Sequence, residues 1–171
     1  MQNYFELFDL ETSFLVDDEA LKIAYQAQVT RFHPDNFATK SQAEQLQALQ
    51  STSLLNSAYT ALKTPLNRAS YLLNLEDVDP FDEQDTNMET KFLVSQIELR
   101  EQLEGIKEQQ DSLVLDDFIE QVQDFIRDNV SSISEAFIQS RDLQEIKTLV
   151  RELKFYEQLN KEANILMDEW L

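Results

Sequence analysis

The chain of 171 residues contains a single histidine, and it stands in the stretch Arg31-Phe32-His33-Pro34-Asp35-Asn36-Phe37. An imidazole two residues from a carboxylate is a side-chain set that could serve general acid–base chemistry. The rest of such a site is missing. There is no cysteine and only one glycine, so neither a thiol nucleophile nor a phosphate-binding glycine loop can be built. No strand pattern nearby would wall a pocket. One histidine and scattered carboxylates also give no metal-ligand constellation. No catalytic residue, metal or cofactor is therefore expected, and His33-Pro34-Asp35 reads as an exposed recognition loop.

Two helices must hold that loop. Asp17 caps the first, with Asp18 and Glu19 in its opening turn where the helix dipole favours acids. Leu21, Ala24, Tyr25, Gln28 and Phe32 recur every three or four residues and mark its buried stripe. Lys22, Gln26 and Thr30 take the opposite face, with Arg31 at its edge. Pro34 removes a backbone donor and pushes His33 out of helical geometry, so this helix ends at Phe32 or His33. Ser41-Gln42-Ala43-Glu44 is a capping box that opens the second helix. Its expected inner face is Leu46, Leu49, Leu55, Ala58, Tyr59 and Leu62, and Thr64-Pro65 stops it. Phe32 and Phe37 are expected to brace the loop. An aromatic opening turn at Tyr4 to Leu10 and a short helix over Leu66 to Leu75 complete a first unit, residues 1–75.

Scarce Gly and Pro argue for few, long helices and an all-α fold. The absence of cysteine excludes disulfides. No apolar run approaches membrane-spanning length, and the N-terminus lacks a signal-peptide pattern, so a soluble cytoplasmic protein is expected. The net charge of −19 is uneven. Residues 1–75 carry 5 Lys/Arg and 8 Asp/Glu, whereas residues 76–171 carry 9 and 25. Such an acidic second half repels phosphate backbones, so nucleic acid is not an expected partner.

Residues 76–85 are acidic, carry Pro80 and lack helical period, and so read as a short, fairly fixed linker pinned by Phe81. Thr86-Asn87-Met88-Glu89 matches a second capping box. The helix after it has one core seam, Phe92, Gln96, Leu99, Leu103 and Ile106. It also has a second stripe, Leu93, Val94, Ile97, Glu98 and Glu101. That stripe is either covered by the first unit or offered to another protein. A helix from about Ser112 to Gln139 and another from Asp142 to the end complete an antiparallel three-helix bundle over residues 86–171. Trp170 is expected to pack at the bundle's end.

His-Pro-Asp between two antiparallel helices resembles the J-domain signature. Leu55-Asn56-Ser57-Ala58-Tyr59-Thr60-Ala61-Leu62, Arg68 and Tyr71 are similar to the family's third helix and its closing Arg and Tyr. The resemblance implies a module that performs no chemistry itself but docks on a DnaK-type ATPase chaperone. By that likeness His33, Pro34, Asp35, Lys22 and Arg31 bind the chaperone, with Asp35 pairing to an arginine. The chain departs from the family in its sparse cations and in Asn36, where a Lys is usual.

The Gly/Phe-rich and cysteine-rich modules of generic DnaJ proteins are absent. Phe92-Leu93-Val94-Ser95-Gln96-Ile97-Glu98-Leu99-Arg100-Glu101, Leu153-Lys154-Phe155 and Arg68-Ala69-Ser70-Tyr71-Leu72-Leu73 instead resemble the HscB family of iron–sulfur co-chaperones, over essentially the whole chain. That likeness implies an HscA-like chaperone partner and an IscU-like scaffold partner. The scaffold patch carried over is Leu93, Val94, Ile97, Glu98, Glu101 and Phe155, from which Gly105 departs because an acidic residue is usual there. The alternative is a general J-domain folding co-chaperone with another client, against which the specific stripe argues.

Overall fold

The computed structural model describes residues 3–171, so the first two residues of the expected 1–75 unit lie outside the described residues. Among the described residues the regular structure is helical throughout: α1 (Tyr4–Leu7), α2 (Asp18–Arg31), a 3-10 turn (Pro34–Phe37), α3 (Gln42–Lys63), α4 (Pro65–Leu75), α5 (Thr90–Gln109), α6 (Ser112–Ile138) and α7 (Leu143–Trp170). None of these helices is long and apolar enough to cross a membrane. The chain divides into two compact units, Met1–Leu75 and Glu76–Leu171.

In the first unit α2 and α3 form an antiparallel hairpin. Tyr25 stacks on Tyr59 with centroids 4.1 Å apart, and its hydroxyl donates to Asn56 Oδ1 at 2.6 Å. Caps set the helix starts: Asp17 Oδ1 accepts the Glu19 and Ala20 amides, and Ser41 and Glu44 form the expected box. The box carboxylate of Glu44 is held below the ordinary range, first by the Ser41 amide and then by its hydroxyl. The opening turn closes the hairpin. Phe5 and Phe8 are buried, Tyr4 stacks on Tyr71, and the Tyr4 amide donates to the Tyr71 hydroxyl at 2.9 Å. Complete burial of a side chain such as Phe5 stabilises by roughly 1.5–3 kcal/mol.

The inner face of α3 differs from the expected one. Leu46 and Leu49 are exposed, and Ala48 is buried in their stead. The buried residues are Ala48 with Leu55, Ala58 and Leu62, the last three as expected. At the end of α3 nearest the loop, Ala48 and Leu49 flank a shallow apolar groove that Phe32, Pro34 and Phe37 also line.

Arg68 is a second feature that the spacing hides. It is buried, and its Nη1 donates to the Leu62 carbonyl at 2.9 Å, closing the end of α3. Its guanidinium also lies 5.2 Å from the Phe14 ring centroid and 3.7 Å from Asp18.

The second unit is an up-down-up bundle. Phe125 meets Tyr156 and Asn129 meets Glu152, so α6 runs antiparallel to α7. Phe92 meets Phe155 while Arg100 meets Glu162, so α5 runs parallel to α7. The core is built from Phe92, Leu99, Leu103 and Ile106 of the expected α5 seam, with Gln96 only partly buried, together with Leu115, Phe118, Ile119 and Val122 of α6, and Phe155, Leu159 and Ala163 of α7. Trp170 packs against it as expected.

The capping box expected at Thr86-Asn87-Met88-Glu89 does not form. The helix starts at Thr90, and Glu89 caps it without a side-chain hydrogen bond. The reason lies in what holds the preceding segment. Asp85 pairs with Lys147 and Arg151 of α7, and Arg151 also donates to the Asn87 carbonyl at 3.2 Å. These bonds tie residues 85–87 to α7, so the helix does not begin until they are passed. Asp85 is held below the ordinary carboxylate range by the Lys147 hydrogen bond first and the Asn87 amide second. The stretch expected as a linker therefore lies on the bundle, with Pro80 buried and the Lys154 ammonium 4.2 Å from the Phe81 ring centroid.

Gly105 sits inside α5, and a Cβ built there meets nothing within 4 Å. Gly105→Ala is therefore expected to stabilise this unit by roughly 0.5–1 kcal/mol, because alanine loses less backbone freedom in a helix. A rise in the denaturant midpoint followed by Trp170 fluorescence checks it; an unchanged or lower midpoint counts against it.

Candidate functional site

The first candidate site is the tip of the hairpin. The α2 helix stops at Arg31, one or two residues before the end expected from the sequence, and Phe32 is its C-cap. Three interactions then fix the tip. Phe32 and Phe37 stack with centroids 6.4 Å apart, as expected. Asn36 Nδ2 donates to the Thr30 carbonyl at 2.9 Å, satisfying one of the acceptors left open at a helix end. His33 Nδ1 accepts the Asp35 amide at 3.2 Å and so caps the 3-10 turn. Accepting that bond requires the neutral imidazole with its proton on Nε2.

These bonds leave one group pointing out. The Asp35 side chain is 92% exposed, and His33 Nδ1 lies 3.6 Å from its Oδ2. Lys22 and Arg31 are exposed on α2, and the Arg31 guanidinium lies 5.3 Å from the Phe32 ring centroid. The five residues carried over to the chaperone thus lie on one hairpin: three on a braced tip and two on α2. The usual Lys would carry charge at position 36, whereas Asn36 is spent on stiffening the tip. The exposed Ile23 shares the outer side of α2 with Lys22, and the buried stripe gave no sign of it.

The second candidate site is on α5. Leu93, Val94 and Ile97 are 42%, 47% and 58% exposed, and Glu98 and Glu101 beside them are exposed too. All five share one outer face, opposite the buried seam of Phe92, Leu99 and Leu103.

Phe155 is placed differently. It is only 8% exposed and belongs to the core. Its ring meets Phe92 edge-on at 5.8 Å, and the Arg100 guanidinium lies 5.4 Å from its centroid. Arg100 in turn pairs with Glu162 on α7. Phe155 and Arg100 therefore brace the helix that presents the stripe. Sequence reasoning missed Arg100, since a pairing 62 positions away leaves no local signal.

Comparisons with known proteins bear on the whole chain. A family model described as the HSCB C-terminal oligomerisation domain matches residues 88–164. A protein of Photobacterium profundum, named a co-chaperone protein HscB homolog, is 38% identical over 165 residues, which is 96% of each chain. The solved structure of chaperone HscB from Vibrio cholerae is 36% identical, with a TM-score of 0.89 over 99% of this chain and 100% of that one. The crystal structure of the human co-chaperone protein HscB is 28% identical, also with a TM-score of 0.89, over 96% of this chain and 82% of that one.

Proposed function

The chain belongs to the HscB co-chaperone family, and from that premise we propose that it couples an HscA-like, DnaK-type ATPase chaperone to an IscU-like iron–sulfur scaffold. The hairpin tip engages the chaperone, and the outer face of α5 holds the scaffold. The observation that carries the reading is the exposed Asp35 carboxylate on a tip where His33 and Asn36 are both spent on internal bonds. A carboxylate presented in this way suits a bidentate pair with an arginine, which is both strong and directional.

The tip accelerates ATP hydrolysis only if it binds the hydrolysis-competent state of the chaperone better than the other state. The scaffold, held on the acidic bundle, is brought to the chaperone in the same complex. The iron–sulfur cluster is the scaffold's cargo, and this chain ligates no part of it. The reading is of a cytoplasmic protein without a catalytic centre of its own.

Steady-state ATP hydrolysis by an HscA-like chaperone, with and without this protein and the scaffold, tests the proposal. Stimulation is expected from the protein alone, and a further increase when scaffold is added. No stimulation in either case would overturn it.

The sparse cations on α2 give a second measurable expectation. With only Lys22 and Arg31 exposed on that helix, long-range attraction contributes little to docking. Raising salt from about 0.05 to about 0.3 M, which shortens the screening length to well under 10 Å, is expected to weaken half-maximal stimulation by less than about threefold. A loss of tenfold or more would show that charge steers the encounter after all.

A further inference from the structure

Asn129 is one of two buried polar side chains among the described residues, 6% exposed in the middle of α6. Its Nδ2 donates to Glu152 Oε2 of α7 at 3.4 Å, but its buried Oδ1 meets no donor. An amide acceptor left alone in a helical core costs about 1–3 kcal/mol, and an ionised carboxylate cannot relieve it because it has no proton to give. A protonated carboxyl can.

Glu152 is half-buried, and its electrostatic neighbours favour the neutral form. Glu89, the cap of α5, acts on it as a like charge. Tyr156, one turn on along α7, is itself raised by burial and then by Glu152, and brings no positive charge to it. The cations nearest in sequence on α7 are engaged elsewhere: Arg151 with Asp85 and the Asn87 carbonyl, Lys154 over the Phe81 ring at 4.2 Å, and Lys147 with Asp85. From α6 the group that meets it is Asn129 itself, which is uncharged.

We propose that Glu152 takes up a proton in the folded protein and closes on Asn129 as a neutral carboxylic acid–carboxamide pair, a proton-operated clasp between α6 and α7. Closing the pair gives Asn129 Oδ1 its donor through a small turn of the amide. It also removes the repulsion between Glu152 and Glu89, at the point where the stripe-bearing α5 begins.

Burial, and Glu89 after it, raise the Glu152 pKa above the ordinary carboxylate range. A raised folded-state pKa means that the native state binds more protons than the unfolded one. The contribution to stability therefore grows as pH falls through the folded-state pKa and is complete below the unfolded one. Glu157, also raised by burial, acts in the same direction. Asp85, held below the ordinary range, acts in the opposite sense and in a more acidic window. Comparison with a variant at position 152 isolates the clasp from both.

Unfolding of the full chain, followed by its single tryptophan, Trp170, reads this unit because Trp170 packs on its core. Glu152→Gln, a neutral isostere with an N–H to donate, is expected to unfold at a higher denaturant midpoint than the wild type near neutral pH. The advantage should shrink as pH falls through the folded-state pKa and vanish below the ordinary glutamate value, where the wild type is itself protonated in both states. In the wild type, the Glu152 side-chain carboxyl carbon and the Asn129 side-chain amide should titrate together by NMR, with one midpoint above the ordinary glutamate value. A Glu152→Gln protein that is destabilised, or whose difference does not vary with pH, would overturn the clasp. A Glu152 midpoint at or below the ordinary value, or an Asn129 amide that ignores it, would do the same.

Discussion

Asp35→Asn is expected to fold as the wild type does and to lose on the order of ten- to a hundredfold in its stimulation of the chaperone's ATPase. Both halves follow from where the carboxylate stands. At 92% exposure it contributes little to the fold, and the bond that shapes the turn is made by its backbone amide to His33, which Asn keeps. Surface changes of this kind usually alter stability by no more than about 0.5 kcal/mol. The loss on the partner side is larger. Asn presents one acceptor oxygen and no charge, so a two-pronged, charge-assisted pair with a guanidinium becomes a single neutral hydrogen bond. A melting curve matching the wild type, together with an ATPase titration, checks both halves. Stimulation preserved at the wild-type level would remove Asp35 from the interface. A collapsed melting curve would show that the tip depends on a bond the structure does not contain.

The helices and most of their ends were legible because they are written locally. Asp17, Ser41 with Glu44, and Asp142 each cap from within three residues, and each does so in the structure. The Thr86 to Glu89 box has the same local grammar and fails, because Asp85 is engaged by two cations more than 60 positions away on α7. Tertiary bonds there outweigh a capping preference of about 1 kcal/mol. The same limit explains the α3 seam. Leu46 and Leu49 outrank Ala48 in hydrophobicity, but Ala48 is the residue that turns inward, and only the packed hairpin shows that.

The candidate sites divide along similar lines. The His-Pro-Asp tip and the α5 stripe stood out because proline breaks a helix and because a second apolar face at helical spacing has no use within one seam. The parts that hold those groups in place were not visible. Asn36 reaches back to Thr30, Arg100 reaches across to Phe155 and Glu162, and Asn129 meets Glu152. Each is a polar residue that looks like surface until the chain is folded. In this protein, presentation of the sites lay in the pattern, and their bracing lay in side-chain contacts that only the fold brings together.

Leu93→Ala with Ile97→Ala is expected to cost on the order of a hundredfold in affinity for the scaffold while leaving the bundle's stability close to that of the wild type. Both side chains project from the outer face of α5 and belong to no core contact, so their truncation opens no cavity. In an interface they would be the central apolar anchors, and truncating such an anchor typically costs about 1–2 kcal/mol or more, roughly tenfold each. Phe155→Ala separates presentation from contact. That ring is 8% exposed and wedged against Phe92, so its removal should destabilise the bundle by about 3–5 kcal/mol and weaken binding through a displaced α5. Calorimetric titration with an IscU-like scaffold, beside denaturant melts of each variant, distinguishes the two roles. Unchanged scaffold affinity in the Leu93→Ala/Ile97→Ala protein would move the docking surface off α5. A Phe155→Ala protein as stable as the wild type would show that the ring had been available to the partner all along.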